Sequence, residues 1–240
     1  MSETGDGAAS RRHDVLHGPA FSALRIDLAA GESILAQPGS MIAMTPGFTV
    51  DVRAGVHMQG GRGLVRGLRS LFGGESFFTV VYTAKRDGQH IMLAPDQMGE
   101  IRALETTAAE GLLLTRGAFL ACGPEMGFGL HNAGMRGLLA TRGLFFLKTL
   151  GAGTIFVTSY GGLVEQSLAV GERFVLDNRN IVAFSDGMPF ESVVLAGSLK
   201  DSVLSGEGFV VRFTGPGRVL YQTRARPALG LLRGLVQSIV

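Results

Sequence analysis

The sequence predicts an all-β protein whose body is a double-stranded β-helix-like fold or β-sandwich with three internal pseudo-repeats. Glycine supplies 36 of the 240 residues, about twice its usual share of roughly 7%, and this indicates many tight turns. Short apolar runs lie between those turns with almost no helical period, which is typical of strands in a sandwich or barrel. The third observation is internal repetition.

One apolar segment occurs three times along the chain. Residues 31–44 align with residues 171–184 without gaps, and every apolar position meets an apolar position. Residues 110–122 form the remaining copy. Each copy has an apolar run, a four-residue turn and a second apolar run, which predicts a β-hairpin. Two positions keep their residue type in all copies: glutamate at Glu32, Glu110 and Glu172, and alanine at Ala43, Ala121 and Ala183.

A second block follows the first in each copy. Residues 206–221 align with residues 142–157, and residues 74–78 match the beginning of the same block. The chain is therefore expected to contain three units of four strands, or twelve strands in all. Because each unit is too small to bury its own apolar face, we expect the three to close around one core. The units cover about 25–95, 100–160 and 165–225.

A single β domain is expected at 19–226, after a flexible polar tail at 1–18. The tail contains Glu3, Asp6 and Asp14 and no apolar stretch, so it differs from a signal peptide and from an arginine-rich mitochondrial presequence. No run reaches the roughly 18 apolar residues that a spanning helix needs. These features predict a cytoplasmic protein whose membrane contact, if any, is peripheral.

Two segments break the β pattern, and both predict short amphipathic helices. Over about 62–72, helical spacing separates an apolar side from three arginines. The C-terminal helix, expected at 227–240 and amphipathic over about 228–239, follows Pro227, which suits a helix start. Such helices either pack over the ends of the β body or attach to an anionic membrane or a partner groove. The predicted docking residues are Leu64, Arg66, Leu68, Arg69, Leu71, Phe72, Leu232, Leu235 and Val236.

Several short motifs along the chain together resemble those of a known family. Gly73–Phe78 and Phe213–Val219 are the most specific of them. Over about 20–226 the chain resembles the altered-inheritance-of-mitochondria family, within the superfamily likened to the tryptophan RNA-binding attenuation protein. The resemblance implies a double-stranded β-helix-like body with repeats and self-association, so we expect a homo-oligomer, with a trimer as one arrangement. It implies inner-membrane organisation for the eukaryotic branch, gives no catalytic residues, and together with the tail favours a bacterial member.

The residues that carry enzyme chemistry are not arranged for it in this sequence. The five histidines include no His-x-His pair, which argues against the metal site of cupin-like enzymes. A single cysteine excludes an intramolecular disulfide and a cysteine-rich zinc site. Ser76 enters a strand and lacks the strand-to-helix elbow of a hydrolase. We therefore predict no catalytic, metal-binding or cofactor-binding residue and no cofactor, and a cupin-like enzyme is the disfavoured alternative.

Glutamates recur at the starts of the predicted strands. Because an active site rarely needs its acid three times, we interpret them as structural carboxylates that accept backbone N–H bonds or pair with arginine. The alternative is a ring of carboxylates around a pseudo-threefold axis that holds a cation. The residues are Glu32, Glu75, Glu110, Glu172 and Glu207.

These observations favour a non-enzymatic oligomeric scaffold or adaptor that docks at a membrane surface or a membrane-protein complex. An RNA-binding or small-ligand-binding regulatory module is the alternative. A net charge of +2, no tryptophan and only three tyrosines provide little of the basic groove and aromatic platform that single-stranded readers need. Nucleic acid is therefore an unlikely partner.

Overall fold

The computed structural model describes residues 12–54, 78–115, 117–131, 146–193 and 210–225. Those ranges contain nineteen β-strands and one short 3-10 helix, so the prediction of an all-β protein is confirmed. The strands lie in antiparallel sheets that fit a sandwich-like body. The helices predicted at 62–72 and 228–239 fall outside the described residues. Among the residues that are described, no helix has the length and apolar content to cross a bilayer.

After β1 (His13–Leu16), the strands follow one another in three runs of six. The first run is β2 (Ala23–Leu28), β3 (Ser33–Ala36), β4 (Met41–Met44), β5 (Phe48–Ala54), β6 (Phe78–Ala84) and β7 (Gln89–Leu93). The second is β8 (Ile101–Thr106), β9 (Leu112–Leu114), β10 (Phe119–Cys122), β11 (Gly127–His131), β12 (Phe146–Leu150) and β13 (Gly153–Thr158). The third is β14 (Leu163–Leu168), β15 (Arg173–Asp177), the 3-10 helix Asn178–Asn180, β16 (Ile181–Ser185), β17 (Phe190–Val193), β18 (Val210–Thr214) and β19 (Gly217–Gln222).

The same antiparallel pairing occurs in all three runs. In each, the sixth strand pairs with the first and the third. The fifth strand pairs with the second and the fourth. The expectation of twelve strands was wrong, because each run adds a first and a fourth strand to the four expected. The exact limits of the domain and of its three units stay a prediction.

Consecutive runs are joined by one further strand pair. The second strand of one run pairs with the third strand of the next, as β3 with β10 and β9 with β16. Two six-stranded sheets result, in the orders β5-β6-β3-β10-β13-β8 and β11-β12-β9-β16-β19-β14. Two shorter sheets remain, β1-β2-β7-β4 and β15-β18-β17. In the described part of the chain, β4 and β15 are therefore sheet edges.

The buried apolar residues form three clusters that mix strands of different runs. One cluster contains Leu35 of the first run, Ile155 of the second and Leu220 of the third. A second combines the first run with β10 and β13 of the second, including Phe156. The third combines Phe146 of the second run with residues of the third run. Each run therefore buries its apolar face against a neighbour, as expected for units too small to have cores of their own.

The two connections between runs cross at close range. Gly99 lies between β7 and β8, Gly161 lies between β13 and β14, and the two form an isolated parallel bridge. The Glu100 N–H donates to the Gly161 carbonyl at 3.1 Å, and the Gly161 N–H donates to the Met98 carbonyl at 3.0 Å. A Cβ added at Gly99 would lie 1.8 Å from the carbonyl oxygen of Ser159. Only glycine fits this crossing.

Candidate functional site

The hairpin of β5 and β6 carries an exposed apolar strip. Val52 is 70% exposed and lies opposite Val80. Phe78, two residues before Val80 on β6, lies on the same face of the hairpin. Val50, two residues before Val52, is exposed on that face as well. Opposite Val50, Tyr82 is buried, and this desolvation raises the pKa of its hydroxyl. The strip thus begins in the core and continues onto the surface.

The predicted docking segment follows directly from this strip in the chain. Residues 55–77 connect β5 to β6 and include six of the predicted docking residues. All nine lie outside the described residues: Leu64, Arg66, Leu68, Arg69, Leu71, Phe72, Leu232, Leu235 and Val236. The structure therefore brings the exposed face of Val50, Val52 and Phe78 to the base of the segment. Its docking role stays a prediction.

Two of the recurring glutamates occupy the same turn in different runs. The Glu32 carboxylate accepts the Ala29 N–H at 2.7 Å, and the Glu172 carboxylate accepts the Ala169 N–H at 2.8 Å. Each turn has a glycine with positive φ before the glutamate, +83° in the first run and +77° in the third. The carboxylate closes the turn by satisfying a backbone donor that would otherwise face solvent. Their contacts are those of turn-closing groups.

The middle glutamate has different surroundings. Ala109 precedes Glu110 where the other turns have glycine, and the left-handed backbone is costly for alanine. The Glu110 backbone N–H donates to Thr107 Oγ1 at 2.9 Å. The Glu110 side chain is exposed and lines a cleft. Glu75 and Glu207 lie outside the described residues, so the alternative of a carboxylate ring around the pseudo-threefold axis is described only in part.

This difference gives a matched pair of variants. Removing the Glu172 carboxylate by Glu172→Ala should lower the free energy of unfolding by about 1 kcal/mol, since a charge-assisted hydrogen bond to the turn is lost. Glu110→Ala should change it by less than about 0.5 kcal/mol, as is usual for an exposed side chain. Urea denaturation of both variants measures the difference. Equal losses would contradict a turn-closing role for Glu172.

The cleft beside Glu110 has a volume of about 530 Å³ and lies between the second and third runs. Two of its charged lining residues, Asp186 and Arg218, lie near groups of opposite charge. Lys148 Nζ lies 2.6 Å from Asp186 Oδ2, and Arg218 Nη1 lies 3.6 Å from Glu165 Oε1. The hydroxyl of Ser185 accepts the backbone N–H of Arg218 at 3.0 Å. Such pairing suits a structural boundary between runs.

The described residues contain no group of side chains suited to a metal ion. Across the described ranges, no three His, Cys, Asp or Glu side chains are grouped so that they could hold an ion. Cys122 is a buried thiol in the core cluster that contains Leu35 and Ile155. Its surroundings are those of a small apolar side chain.

The edges β4 and β15 are a feature that the sequence interpretation missed. Their counterparts in the other runs are buried strands, whereas Ile42, Met44 and Val175 are exposed. The sequence repeat aligns β4 with β10 and β16, and β15 with β3 and β9, but the alignment does not show which copies have a pairing partner. The strand pairing was needed to interpret it.

The β body matches a known protein family over almost all of its length. The mitochondrial biogenesis AIM24 family matches residues 13–224, which is most of the chain and includes all nineteen strands. The protein belongs to this family. The AIM24-family match confirms the resemblance seen in Gly73–Phe78 and Phe213–Val219 at the level of the family.

Two bacterial proteins are similar to this AIM24-family chain over nearly its whole length. An uncharacterised protein of Streptococcus pyogenes serotype M6 is 31% identical over 206 residues, which cover 85% of this chain and 82% of that protein. A crystal structure of a Streptococcus pyogenes protein superposes with a TM-score of 0.70 at 28% identity, covering 95% of this chain and 99% of the other. The whole β body of the AIM24-family chain therefore has a counterpart of known structure.

Proposed function

We propose that this AIM24-family protein is a non-enzymatic, self-associating scaffold that docks at a membrane surface or a membrane-protein complex. The observation that carries the proposal is the exposed apolar strip of Val50, Val52 and Phe78 at the base of the 55–77 connection. Contiguous exposed apolar surface marks a contact site. The amphipathic segment predicted at 62–72 extends that surface along the chain.

The composition of the segment suits an anionic membrane. Arg66 and Arg69, with Arg62, each contribute about 1 kcal/mol of attraction near an anionic lipid surface. Leu64, Leu68 and neighbouring apolar side chains contribute by burial, at up to about 1.5–3 kcal/mol for each side chain that is fully buried. The two contributions together are what interfacial helices use. The segment 228–239 adds a second apolar face in the proposal.

The finer relationship, to the superfamily likened to the tryptophan RNA-binding attenuation protein, belongs to the same proposal. It carries RNA binding as the alternative function. The aromatic side chains argue against that alternative, because stacking platforms must be accessible. The largest buried side chains include five of the fifteen phenylalanines, namely Phe128, Phe146, Phe156, Phe184 and Phe213. Docking without RNA is therefore the preferred interpretation.

Co-sedimentation with vesicles tests the membrane part of the proposal. The full-length protein should pellet with vesicles that contain anionic phospholipid and much less with neutral phosphatidylcholine vesicles, since screening and charge govern the arginine contribution. Leu68→Asp with Leu71→Asp should reduce the bound fraction about tenfold or more, because two apolar contacts are lost and two like charges are added.

A double variant elsewhere controls for the added charge. Val170→Asp with Met98→Asp places the same two carboxylates at side chains that are already exposed, and it should bind vesicles like the wild type. Equal binding of the wild type and the Leu68→Asp, Leu71→Asp variant would remove the membrane proposal. Salt-sensitive retention on mixed RNA, with no vesicle binding, would favour the alternative.

A further inference from the structure

The first junction between runs gives a template for strand pairing. Ala36 at the end of β3 lies opposite Ala121 of β10. Just beyond this pair, the Gln37 N–H donates to the Leu120 carbonyl at 2.8 Å. The two strands are antiparallel and lie in the middle of a six-stranded sheet.

The second junction repeats the template one run later. Leu114 at the end of β9 lies opposite Ala183 of β16. The Thr115 N–H donates to the Val182 carbonyl at 2.9 Å. Both junctions therefore use the same position of the repeat, the same direction and the same backbone bond.

The strands β4 and β15 occupy the same two positions of the repeat, but they are not paired with each other. Ala43 of β4 follows a register shift against β7, as the aligned alanines of β10 and β16 do against β13 and β19. Leu176 of β15 occupies the position of Ala36 and Leu114 in the sequence repeat. Yet β4 and β15 each end a sheet in the described part of the chain.

The exposure of the side chains shows that the described residues of one chain leave both edges uncovered. Ile42 is 58% exposed, whereas its counterparts in β10 and β16 are 0% and 1% exposed. Val175 is 42% exposed, whereas its counterparts in β3 and β9 are 7% and 1% exposed. Apolar side chains that are buried at the two junctions are thus exposed to solvent on β4 and β15.

We propose that β4 of one copy of this protein pairs with β15 of a second copy, and that this pair is the interface through which the protein self-associates. The sheets β1-β2-β7-β4 and β15-β18-β17 would then join across the interface into one antiparallel sheet, which has the strand order of the other two with β1 added at one edge. An unpaired edge with apolar side chains is a template for strand addition. The repeat supplies the complementary strand and its register.

The templates fix the pairing residue by residue. Ala43 lies opposite Leu176, and Met44 lies opposite Val175 of the second copy. The Asp177 N–H donates to the Ile42 carbonyl, as its two counterparts do inside the chain. A shift by one residue would turn every side chain to the other face of the sheet, so this register is specific.

A second copy is the occupant because neither edge covers the other within one chain. The two edges are different surfaces, so one contact leaves a free β15 on one copy and a free β4 on the other. The interface is therefore head-to-tail, and it forms a ring where the rotation between copies closes and a filament where it does not. This inference specifies the self-association of the proposed function and does not depend on membrane docking.

Engineered cysteines test the pairing without lipid. In a Cys122→Ala background, Met44→Cys and Val175→Cys are placed on separate chains with different tags, mixed and oxidised under mild conditions. Residues directly opposite on antiparallel strands have Cβ atoms about 4.5–5.5 Å apart, near the distance that a disulfide needs. We expect a covalent dimer containing both tags in up to about half of the protein, because a head-to-tail assembly of the two mixed variants brings the two cysteines together at about one junction in four.

A cysteine pair displaced by one residue from the proposed register is the control. Ala43→Cys with Val175→Cys points the two thiols to opposite faces and should give at least tenfold less covalent dimer. Placing Met44→Cys and Val175→Cys in one chain distinguishes pairing between copies from pairing within one chain. Crosslinked multimers would support the proposal. A crosslinked monomer would show that the edges close within one chain, and the absence of any crosslink would show another occupant. Either result overturns the proposal.

Light scattering gives an independent measurement. Val175→Lys adds a charge to an edge that must become buried, so the oligomer should dissociate with at least a tenfold weaker apparent Kd. Val170→Lys, at an exposed turn position, should leave the mass unchanged. An unchanged mass for Val175→Lys would contradict the interface. Vesicle binding by a Val175→Lys variant that has dissociated would show that docking and self-association are separate properties.

Discussion

Replacing Phe184 with alanine is expected to lower the free energy of unfolding by about 3–5 kcal/mol. Phe184 lies in β16 with 0% of its surface exposed. Its ring centroid is 4.9 Å from that of Phe146 and 5.1 Å from those of Phe190 and Phe213. The variant loses the buried area, these aromatic pairs and the packing of a position that joins the second run to the third.

Urea denaturation followed by circular dichroism measures this loss. Phe21→Ala is a matched control, because Phe21 is 66% exposed and its removal should change stability by less than about 0.5 kcal/mol. A loss below about 2 kcal/mol for Phe184→Ala would mean that the neighbouring rings close the cavity. That result would contradict a rigid aromatic cluster at this boundary.

Gly99→Ala is expected to destabilise the protein by about 3 kcal/mol, at the upper end of the usual cost of overpacking. The new Cβ would lie 1.8 Å from the carbonyl oxygen of Ser159 and 3.1 Å from the backbone N of Gly161. These are backbone atoms and cannot rotate away. One of the two connections must move, and the bonds between Glu100, Gly161 and Met98 weaken with it.

Thermal unfolding tests this prediction, since 1 kcal/mol corresponds to roughly 2–4 °C in Tm for a protein of about this size. Gly129→Ala in β11 is the control. A Cβ at Gly129 meets only the flexible Leu150 side chain at 3.6 Å, so its Tm should stay within about 2 °C of the wild type. Equal Tm values for the two variants would show that the crossing of the connections is loose.

The sequence predicted the strands that carry continuous apolar runs and missed the others. The second, third, fifth and sixth strands of each run lie inside sheets, except β4 and β15, and their side chains align in the repeat. The first and fourth strands are mostly at sheet edges, as β5, β8, β11, β14 and β17 are. Their burial alternates, as in the pattern of β14, because one face is solvated. An apolar repeat cannot detect such strands.

The exposed edges were beyond sequence interpretation for a different reason. Met41–Met44 is as apolar as Phe119–Cys122, yet only the latter strand is fully buried. The difference arises from order along the chain. A third strand pairs with the second strand of the preceding run, and β4 belongs to the first run. Likewise β15 belongs to the last run, so no later third strand meets it. Local composition contains no information about this.

The clusters shared between runs also determine how the protein is made. Phe156 and Leu120 complete the second cluster, but a ribosome synthesises them well after Leu93, the end of the first run. At about 5–20 residues per second, the apolar surface of the first run stays exposed for several seconds until these residues are synthesised. This delay favours misassembly of newly made chains, and slower translation after β7 would lengthen it.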